Sequence, residues 1–414
     1  MERRDFLRAL GLGGASASLG ACGFTSIESG VENVQSYVNP EEFNVPGVGI
    51  YYASTCTQCE ARCGIIGRVR DGRVLKLEGN VESGLSGGKL CGLGQAAVQH
   101  HYNPDRLRQP LLREGGELKP VSLEQAMKVL QQRTQDPKAG RLGLLAGPLH
   151  GHLRVLARNL VETFPEGSAL YTYDPLGTRV NRAAAEQALG AAVPRIAIDE
   201  ARLVVSFGAD FLDTWVSPVH FAGQYARFRK ANDGHPRGVL VQIEPRMTLT
   251  GANADRWIGV RPGSEGAMAL GLARALLAKG GPAAAAAPPQ LVAAVGPYDK
   301  ARVLAETGAS EEAFDRLVAL LLERSPSLVL SGPSAEGHAH GYSSAQAILA
   351  LNWVLGNLGK TVFAPARMPF PQIEAEEGDT ASLRRFAGSL RDGRFDTVIL
   401  LDVCLLYTSD AADE

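Results

Sequence analysis

The sequence predicts an α/β protein, with a small β-rich domain that carries a cysteine cluster, followed by doubly wound α/β domains with parallel sheets. Short apolar runs alternate with amphipathic segments over most of the 414 residues. This alternation is typical of strands and helices that succeed one another along a parallel sheet. Four closely spaced cysteines precede the alternating region, and they predict a separate small domain built around a metal centre.

Composition excludes several classes of protein. The chain is 45% hydrophobic and 21% charged, so it has enough apolar material for two or three domain cores. The formal net charge of −2 argues against a nucleic-acid binder held by bulk charge. No run approaches the roughly 20 apolar residues that a membrane-spanning helix needs.

The first 22 residues are predicted to be an export signal. Residues 3–7 read Arg-Arg-Asp-Phe-Leu and precede a stretch rich in Gly, Ala and Ser, which resembles a twin-arginine signal, read by a route that carries folded proteins. Residues 19–22 resemble a lipoprotein cleavage box, with Cys22 as the lipid-bearing residue. The alternative is an N-terminal amphipathic helix, which the glycines of this stretch disfavour. Residues 23–47 are predicted to be a tether, and the protein is expected in the periplasm or on the outer face of the cytoplasmic membrane.

The strongest chemical signal is the cysteine spacing. Cys56, Cys59 and Cys63 lie within eight residues of one another and Cys91 follows, in the pattern C-x2-C-x3-C-x27-C. Four thiolates suit a soft metal centre, either a [4Fe–4S] cluster or zinc. Structural zinc sites commonly use two C-x2-C pairs and this chain has one, which favours the cluster. A disulfide pair is the further alternative for an exported protein, and export in the folded state disfavours it.

The residues between the third and fourth cysteines predict a hairpin. Two runs of alternating polarity, 65–70 and 73–78, flank Asp71 and Gly72, a dipeptide typical of two-residue hairpin turns. The glycines that follow allow the chain to turn back and bring Cys91 to the other cysteines. We therefore predict a cluster domain over residues 48–110.

The remainder predicts alternating strands and helices. Residues 122–125, Ser-Leu-Glu-Gln, form a capping box that opens a helix ending near Thr134. Residues 111–139 together with 324–402 are predicted to form a first, incomplete α/β domain, and residues 140–323 a second. Apolar runs predict strands at 141–145, 169–173, 203–207, 239–243, 328–331 and 397–401.

These features together resemble the start of the molybdopterin oxidoreductase family. The resemblance lies in the cysteine spacing, the Val-Arg-Asp-Gly-Arg-Val hairpin at 69–74 and the segment Tyr-Asn-Pro-Asp-Arg-Leu-Arg-Gln-Pro-Leu at 102–111. It implies a [4Fe–4S] cluster beside a molybdenum or tungsten bis-(molybdopterin guanine dinucleotide) cofactor. It also implies two partners, a ferredoxin-like iron–sulfur subunit and a quinone-reactive membrane subunit.

The resemblance also assigns candidate cofactor contacts. Ligands of parallel sheets bind at the carboxyl ends of the strands, and polar turns at those ends resemble the family's nucleotide-contact motifs. Glu244 and Glu265 stand where the family usually carries Asp. The candidates are Gly208, Asp210, Glu244, Pro245, Arg246, Thr248, Asp255, Pro262, Gly263, Glu265, Gly332 and Asn352.

Two positions depart from the family pattern. Leu93 occupies the place of a lysine that usually stands between cluster and pterin, and loss of this cation is expected to alter the cluster potential. The region 172–182, from which the metal usually takes a ligand, holds neither Cys nor Ser. Asp174 is the candidate metal ligand there. The preferred alternative is that Asp174 starts a turn and caps the following helix, and some family members use no protein ligand.

A third segment points to an alternative function. Residues 215–218, Trp-Val-Ser-Pro, resemble the large molybdopterin-like subunit of alternative complex III and related quinol-oxidising complexes, in which the fold can persist without molybdenum. The alternative is a capped helix start, with Ser217 as N-cap and Pro218 at the first helical position. His338 is expected to be an exposed structural residue, with a quinone or pterin contact as the alternative.

Three functions are weighed on these grounds. The first is an exported, membrane-attached redox subunit with a [4Fe–4S] cluster and a molybdenum or tungsten pterin. The second is a molybdenum-free electron-transfer or scaffold subunit of a quinol-oxidising complex, and the third is a zinc-stabilised binding module. Residues 403–414, including Cys404, are predicted to be a non-native tail that truncates the second part of the fold, which predicts an open sheet and poor solubility.

Overall fold

The computed structural model describes residues 45–135, 140–149, 151–174, 178–190, 194–231, 236–364 and 380–403. The predicted export signal with Cys22, most of the tether, and Cys404 lie outside the described residues. The chain divides into two compact units, residues 1–52 with 68–75 and residues 53–67 with 76–414. In the first unit, the main-chain N–H of Gly47 donates to Asp71 Oδ1 at 2.9 Å.

The cluster domain begins with three strands that form a sheet in chain order. They are β1 (Ile50–Thr55), β2 (Gly64–Arg70) and β3 (Arg73–Gly79). The two residues between β2 and β3, Asp71 and Gly72, have φ angles of 50° and 73°, as a type I′ hairpin turn requires at both positions. The predicted hairpin is confirmed.

A helix and a second hairpin follow. Helix α1 (Gly92–His101) precedes strands β4 (Leu111–Glu114) and β5 (Glu117–Pro120), which pair antiparallel. Helix α2 (Leu123–Gln135) starts at the predicted capping box. Ser122 Oγ accepts from the N–H of Gln125 at 3.1 Å and Gln125 Oε1 accepts from the N–H of Ser122 at 3.0 Å, which confirms the box.

The first parallel sheet has the strand order β14-β6-β7. Its strands are β6 (Leu142–Ala146), β7 (Ala169–Thr172) and β14 (Thr397–Leu401). Helix α3 (His152–Glu162) packs Ala157 and Val161 against β6. On β14, Val398 and Leu400 are 40% and 49% exposed, so this strand presents apolar side chains to solvent.

The second parallel sheet has the order β11-β10-β9-β12. Its strands are β9 (Leu203–Phe207), β10 (Val239–Glu244), β11 (Arg256–Gly259) and β12 (Ser327–Ser331). The three strands β9, β10 and β12 are apolar and buried, as expected for strands covered on both faces. A two-stranded antiparallel sheet joins β8 (Arg195–Ile196) to β13 (Val362–Phe363).

Helices cover both faces of the second sheet. One core packs this sheet against helices that lie between β11 and β12 and after β12 in the chain, and the other packs it against the helix that follows β9. The helices that follow α3 in the chain are α4 (Arg179–Leu189), α5 (Pro218–Phe228), α6 (Leu249–Ala252), α7 (Glu265–Ala278), α8 (Pro289–Val295), α9 (Lys300–Thr307), α10 (Glu311–Glu323), α11 (Pro333–Glu336), α12 (Gly341–Val354) and α13 (Thr380–Arg391). Of these, α13 packs against β7 of the first sheet. Among the residues described, no helix combines the length and apolar character needed to cross a bilayer.

The strand pairing differs from the predicted division of the α/β region. That division placed β12 with β14, whereas the structure pairs β12 with β9 and β14 with β6. The difference arises because crossover connections let strands that are distant in the chain become neighbours in a sheet. Strand β11 was not predicted, because Arg256 and Trp257 interrupt its apolar character.

Candidate functional site

The first three cysteines lie on one short loop between β1 and β2. The N–H of Cys56 donates to the carbonyl of Cys63 at 2.8 Å, so the loop closes at its base. The N–H of Arg62 donates to the carbonyl of Cys59 at 3.4 Å and closes a turn within the loop. Cys56 and Cys63 are buried and Cys59, at the turn, is exposed. The loop therefore holds two thiols in its interior and one at its outer end.

The fourth cysteine reaches this loop through a glycine-containing turn. At Gly79 a Cβ would meet the backbone of Gly88 and Lys89 at about 2.5 Å, so only glycine allows the two segments to pack. Cys91 is the N-cap of α1, and its Sγ accepts from the N–H of Gly94 at 3.4 Å.

The four thiols share one electrostatic environment. Burial raises the pKa of the Cys63 thiol, and the proximity of Cys59, Cys56 and Cys91 raises it further. All four cysteines are free of disulfides. Thiolates that repel one another in a partly apolar pocket need a positive centre among them. The residues present therefore fit an iron–sulfur cluster.

In the part of the chain that the structure describes, no three His, Cys, Asp or Glu side chains are placed to hold one metal ion. The zinc alternative therefore stays open beside the cluster at this point.

Leu93 lies within the cluster domain and Asp174 lies close to it. Leu93 is the second residue of α1 and is 53% exposed. Burial, and then the nearby Asp174 carboxylate, raise the pKa of Glu60 to about 7, while Arg182 lowers it. Asp174 is thus close to the cysteine loop, which keeps it a candidate metal ligand. The prediction that it caps the next helix is wrong: the N-cap of α4 is Thr178, because a cap must directly precede the first helical residue.

Most predicted nucleotide contacts follow the carboxyl ends of the second sheet, where several are bonded internally. Gly208, directly after β9, has φ +65°, and a Cβ there would collide with Ser334. Asp210 Oδ1 accepts from the N–H and the hydroxyl of Thr250 at 3.0 and 2.6 Å. This carboxylate therefore ties the loop after β9 to helix α6.

The Glu244 carboxylate is fully buried at the end of β10. It accepts from the N–H of Thr248 at 2.7 Å, from Gln242 Nε2 at 2.8 Å and from Trp257 Nε1 at 3.2 Å. The Thr248 hydroxyl also donates to it and caps α6. Glu244 thus organises the loop that carries Pro245 and Arg246. Since its oxygens are already bonded, this carboxylate has little capacity left for a ligand.

Asp255 and Asn352 also make internal bonds. Asp255 forms a two-point ion pair with Arg229 and accepts from the N–H of Leu240 at 2.8 Å. Asn352 is buried in α12, and its amide bonds both main-chain groups of Val329 on β12, at 2.9 Å each. These two side chains hold the second sheet in place, and their role as cofactor contacts stays a prediction.

A second group of predicted residues is left with unbonded polar atoms. Glu265, the first residue of α7, is fully buried, and burial raises its carboxyl pKa, which its own main-chain N–H and then nearby Ser334 and His338 partly lower. Within the described residues neither oxygen of Glu265, nor Ser334 Oγ, nor His338 Nε2 has a hydrogen-bond partner. The His338 ring lies 3.7 Å from where a Cβ of Gly263 would stand, in the turn that begins with Pro262.

Unbonded buried polar atoms are costly unless a ligand or water satisfies them. Glu265, Ser334 and His338 therefore fit a polar group with hydrogen-bond donors, such as a guanine edge or a ribose. His338 is half-buried, so the expectation that it is exposed is wrong, because helix α11 turns it toward Gly263. At Gly332, before α11, a Cβ would meet the backbone of Ala209 at 2.3 Å, so only glycine fits at this position.

The Trp-Val-Ser-Pro segment makes the predicted helix start. Ser217 is the N-cap of α5 and Pro218 its first residue. Val216 has φ +54°, a strained conformation for a β-branched residue. Trp215 Nε1 and Ser217 Oγ are buried without hydrogen-bond partners among the described residues. Val219, one residue into α5, packs with Cys56 and Cys63, so this segment connects the second sheet to the cluster domain.

A doubly wound α/β fold with a four-thiol site and polar groups at the strand ends defines an iron–sulfur redox protein. Residues 106–404 match the family described as molybdopterin oxidoreductase, and residues 51–103 match the molybdopterin oxidoreductase Fe4S4 domain. The chain belongs to the molybdopterin oxidoreductase family. Its predicted family and fold class are confirmed, and the Fe4S4 domain indicates a [4Fe–4S] cluster. The assignment of Cys56, Cys59, Cys63 and Cys91 as its ligands stays a prediction.

The relatives of this chain are named for several different activities. The chain is 28% identical to a menaquinone reductase, molybdopterin-binding-like subunit, of Nitratidesulfovibrio vulgaris, over 87% of this chain and 52% of the relative. It is 25% identical to the arsenate respiratory reductase molybdopterin-containing subunit of Shewanella sp. strain ANA-3, over 68% of this chain and 33% of the relative. The chain thus spans at most about half the length of these relatives.

A solved structure shows the same fold. Acetylene hydratase from Pelobacter acetylenicus superposes with a TM-score of 0.58 at 17% identity, over 76% of this chain and 45% of that one.

Sequence reasoning missed Ser334, Thr250 and Arg62 as residues of the site. Gly332-Pro333 before Ser334 was a turn signal that could have indicated the first of these.

Proposed function

We propose that this protein is the molybdopterin-family subunit of an exported, membrane-attached respiratory complex. In this role it passes electrons between a buried molybdenum or tungsten pterin site and a partner iron–sulfur subunit. The observation that carries the proposal is the set of four free thiols, in which Cys56 and Cys63 are buried together, Cys91 packs against them and Cys59 lies on the same loop. Such a set holds a one-electron centre rather than a substrate.

The chain's own residues divide this work between them. Cys56 and Cys63 anchor the cluster from the domain interior, while exposed Cys59 lies on the side open to a partner. When bound, a [4Fe–4S] cluster supplies one-electron transfer, and the pterin metal supplies two-electron chemistry at the substrate. Glu265, Ser334 and His338 would hold part of the dinucleotide, because their unbonded polar atoms match its donors and acceptors.

Export and partners are supported by residues outside the structural site. The paired arginines of residues 3–7 support export of a folded protein, and Cys22 supports lipid attachment to the outer face of the cytoplasmic membrane. The names of the relatives describe subunits of a menaquinone reductase and of an arsenate respiratory reductase. We therefore propose a ferredoxin-like iron–sulfur subunit and a quinone-reactive membrane subunit as partners.

A second function is favoured by different observations. The carboxylates of Glu244 and Asp255 already accept hydrogen bonds from neighbouring residues of this chain. Position 93 carries a leucine where the family usually has a cationic lysine. The menaquinone reductase relative is itself named molybdopterin-binding-like. These observations support a molybdenum-free electron-transfer or scaffold subunit of a quinol-oxidising complex, with the cluster retained.

Metal analysis of the full-length protein, purified anaerobically from its native membrane, separates these functions. Iron with molybdenum or tungsten supports the proposed enzyme subunit. Iron alone, at the same iron content per chain, supports the molybdenum-free subunit and overturns the first proposal. Zinc without iron contradicts both and leaves a zinc-stabilised binding module. The matched control is the Cys91→Ser variant, which is expected to lose iron while retaining any molybdenum held by the sheet.

A further inference from the structure

Arg62 occupies an unusual position in the cysteine loop. It lies between Cys59 and Cys63, and its φ angle is +46°, in the left-handed region that favours glycine. Its N–H closes the turn on Cys59, and this backbone bond does not depend on the side chain. Glycine would form the same turn with less strain. The presence of an arginine here therefore points to a role for its side chain.

The guanidinium extends from the loop to the ends of two strands. Arg62 Nη2 donates to the carbonyl of Pro148 at 3.2 Å and lies 4.0 Å from Asp402 Oδ2. Pro148 follows β6 and Asp402 follows β14, so both contacts lie at the carboxyl edge of the first parallel sheet. A single side chain thus connects the cysteine loop to the edge at which such sheets bind their ligands.

The positive charge of Arg62 is only partly compensated. Its side chain is 23% exposed, while that of Asp402 is 71% exposed, so water screens the carboxylate far more than the guanidinium. Arg62 Nε is buried and has no hydrogen-bond partner among the described residues. A guanidinium stays charged at any physiological pH, and in a poorly solvated place its field acts strongly on neighbouring groups.

We propose that Arg62 is a positioning residue that sets the reduction potential of the cluster bound by its neighbours. Arg62 directly precedes Cys63 on the cysteine loop. An added electron makes the cluster more negative, so an only partly compensated cation on this loop stabilises the reduced state and raises the midpoint potential. The contacts with Pro148 and Asp402 hold the cation in place and fix the loop against the first sheet. This inference rests on the proposed electron-transfer role of the cluster.

The test is an EPR-monitored redox titration of the full-length protein, purified anaerobically. Arg62→Gln removes the charge and is expected to lower the midpoint potential by ~59 mV, which is about a tenfold smaller reduction constant for one electron. Arg62→Lys keeps the charge and is expected to restore most of the shift. Arg113→Gln, on the exposed hairpin β4–β5, is the matched control and leaves the potential unchanged.

A second variant guards against misfolding of the loop. Arg62→Gly suits the backbone angle, so it is expected to keep full iron content and to show the same lowered potential as Arg62→Gln. An unchanged potential in both variants at full iron content overturns the role of Arg62. Equal loss of iron in the Lys, Gln and Gly variants would show that Arg62 only anchors the loop, and this result also overturns its role in setting the potential. A wild-type protein without a cluster signal overturns this inference together with the proposed function.

Discussion

Cys56 and Cys63 are joined through their backbones, because the N–H of Cys56 donates to the carbonyl of Cys63 at 2.8 Å. This bond closes the cysteine loop at its base, so both side chains start from the interior of the cluster domain. Cys59 is left at the turn of the loop, and Cys91 approaches from the N-terminus of α1. Backbone hydrogen bonds thus fix the positions of the three candidate ligands on this loop.

Replacement of one ligand tests the cluster assignment. Cys59→Ala is expected to abolish the EPR signal of the reduced cluster, because three thiolates leave one iron without its protein ligand. Cys59 is exposed, so the change creates no buried cavity and the fold should survive, as circular dichroism can show. Thr57→Ala, at an exposed position of the same loop, is the control and keeps the signal. An unchanged signal in Cys59→Ala would refute the assignment.

A cation introduced at position 93 tests the placement of α1. Leu93→Lys is expected to raise the midpoint potential of the cluster, since a positive charge favours the reduced state. Leu93 is 53% exposed, so solvent screens the effect, and a shift on the order of 20 mV is expected, about a twofold change in the reduction constant. Leu123→Lys, at an exposed position on α2, serves as control. A downward shift would mean that Leu93 does not lie beside the cluster.

The internal bonds of Glu244 predict a stability effect that is independent of any cofactor. Glu244→Ala leaves the donors of Thr248, Gln242 and Trp257 without an acceptor in a buried place, which costs about 3 kcal/mol of unfolding free energy. Urea denaturation of the cofactor-free protein measures the loss. Glu312→Ala, on the exposed face of α10, is expected to change it by less than about 0.5 kcal/mol. Equal stabilities for the two variants would show that Glu244 does not organise the loop after β10.

The buried carboxyl of Glu265 predicts that the unfolding free energy of the protein depends on pH. Burial raises its pKa above the ordinary value of 4.5, so the folded state binds this proton more tightly than the unfolded chain. Its contribution to the unfolding free energy is therefore present in full below pH 4.5 and is lost as the pH rises through the folded-state pKa.

Glu265→Gln cannot ionise and is expected to flatten this fall. Urea midpoints measured from pH 4.5 to 8 are the test, and Glu312→Gln, with an exposed carboxyl, should retain the wild-type slope. The same slope in Glu265→Gln and in wild type would show that the Glu265 carboxyl is ionised in the folded protein, with a partner that compensates its charge.

The sequence predicted those features that depend on local chemistry. The Asp71-Gly72 turn needs only two positive φ angles, and the box of Ser122 and Gln125 needs only residues three apart. Strand β9 was predicted with its observed bounds, because a fully buried parallel strand is a continuous apolar run. The four cysteines belong to the same category, since their chemistry is carried by residue type and spacing.

Features that depend on distant contacts were not predictable in this way. No local pattern shows that β12 pairs with β9, or that Glu244 accepts a hydrogen bond from Trp257 while the oxygens of Glu265 accept none from the described residues. Both glutamates follow a strand and look alike in the sequence. Arg62 was overlooked because its contacts, Pro148 and Asp402, lie 86 and 340 residues further along the chain. Only the folded arrangement reveals them.

The most direct test of the central claim is the stoichiometry of iron and acid-labile sulfide in the anaerobically purified full-length protein, together with its Mössbauer spectrum. A [4Fe–4S] cluster on Cys56, Cys59, Cys63 and Cys91 predicts about four irons and four sulfides per chain, with a single cubane signature. One zinc per chain without sulfide, or disulfides among these cysteines, would contradict the account.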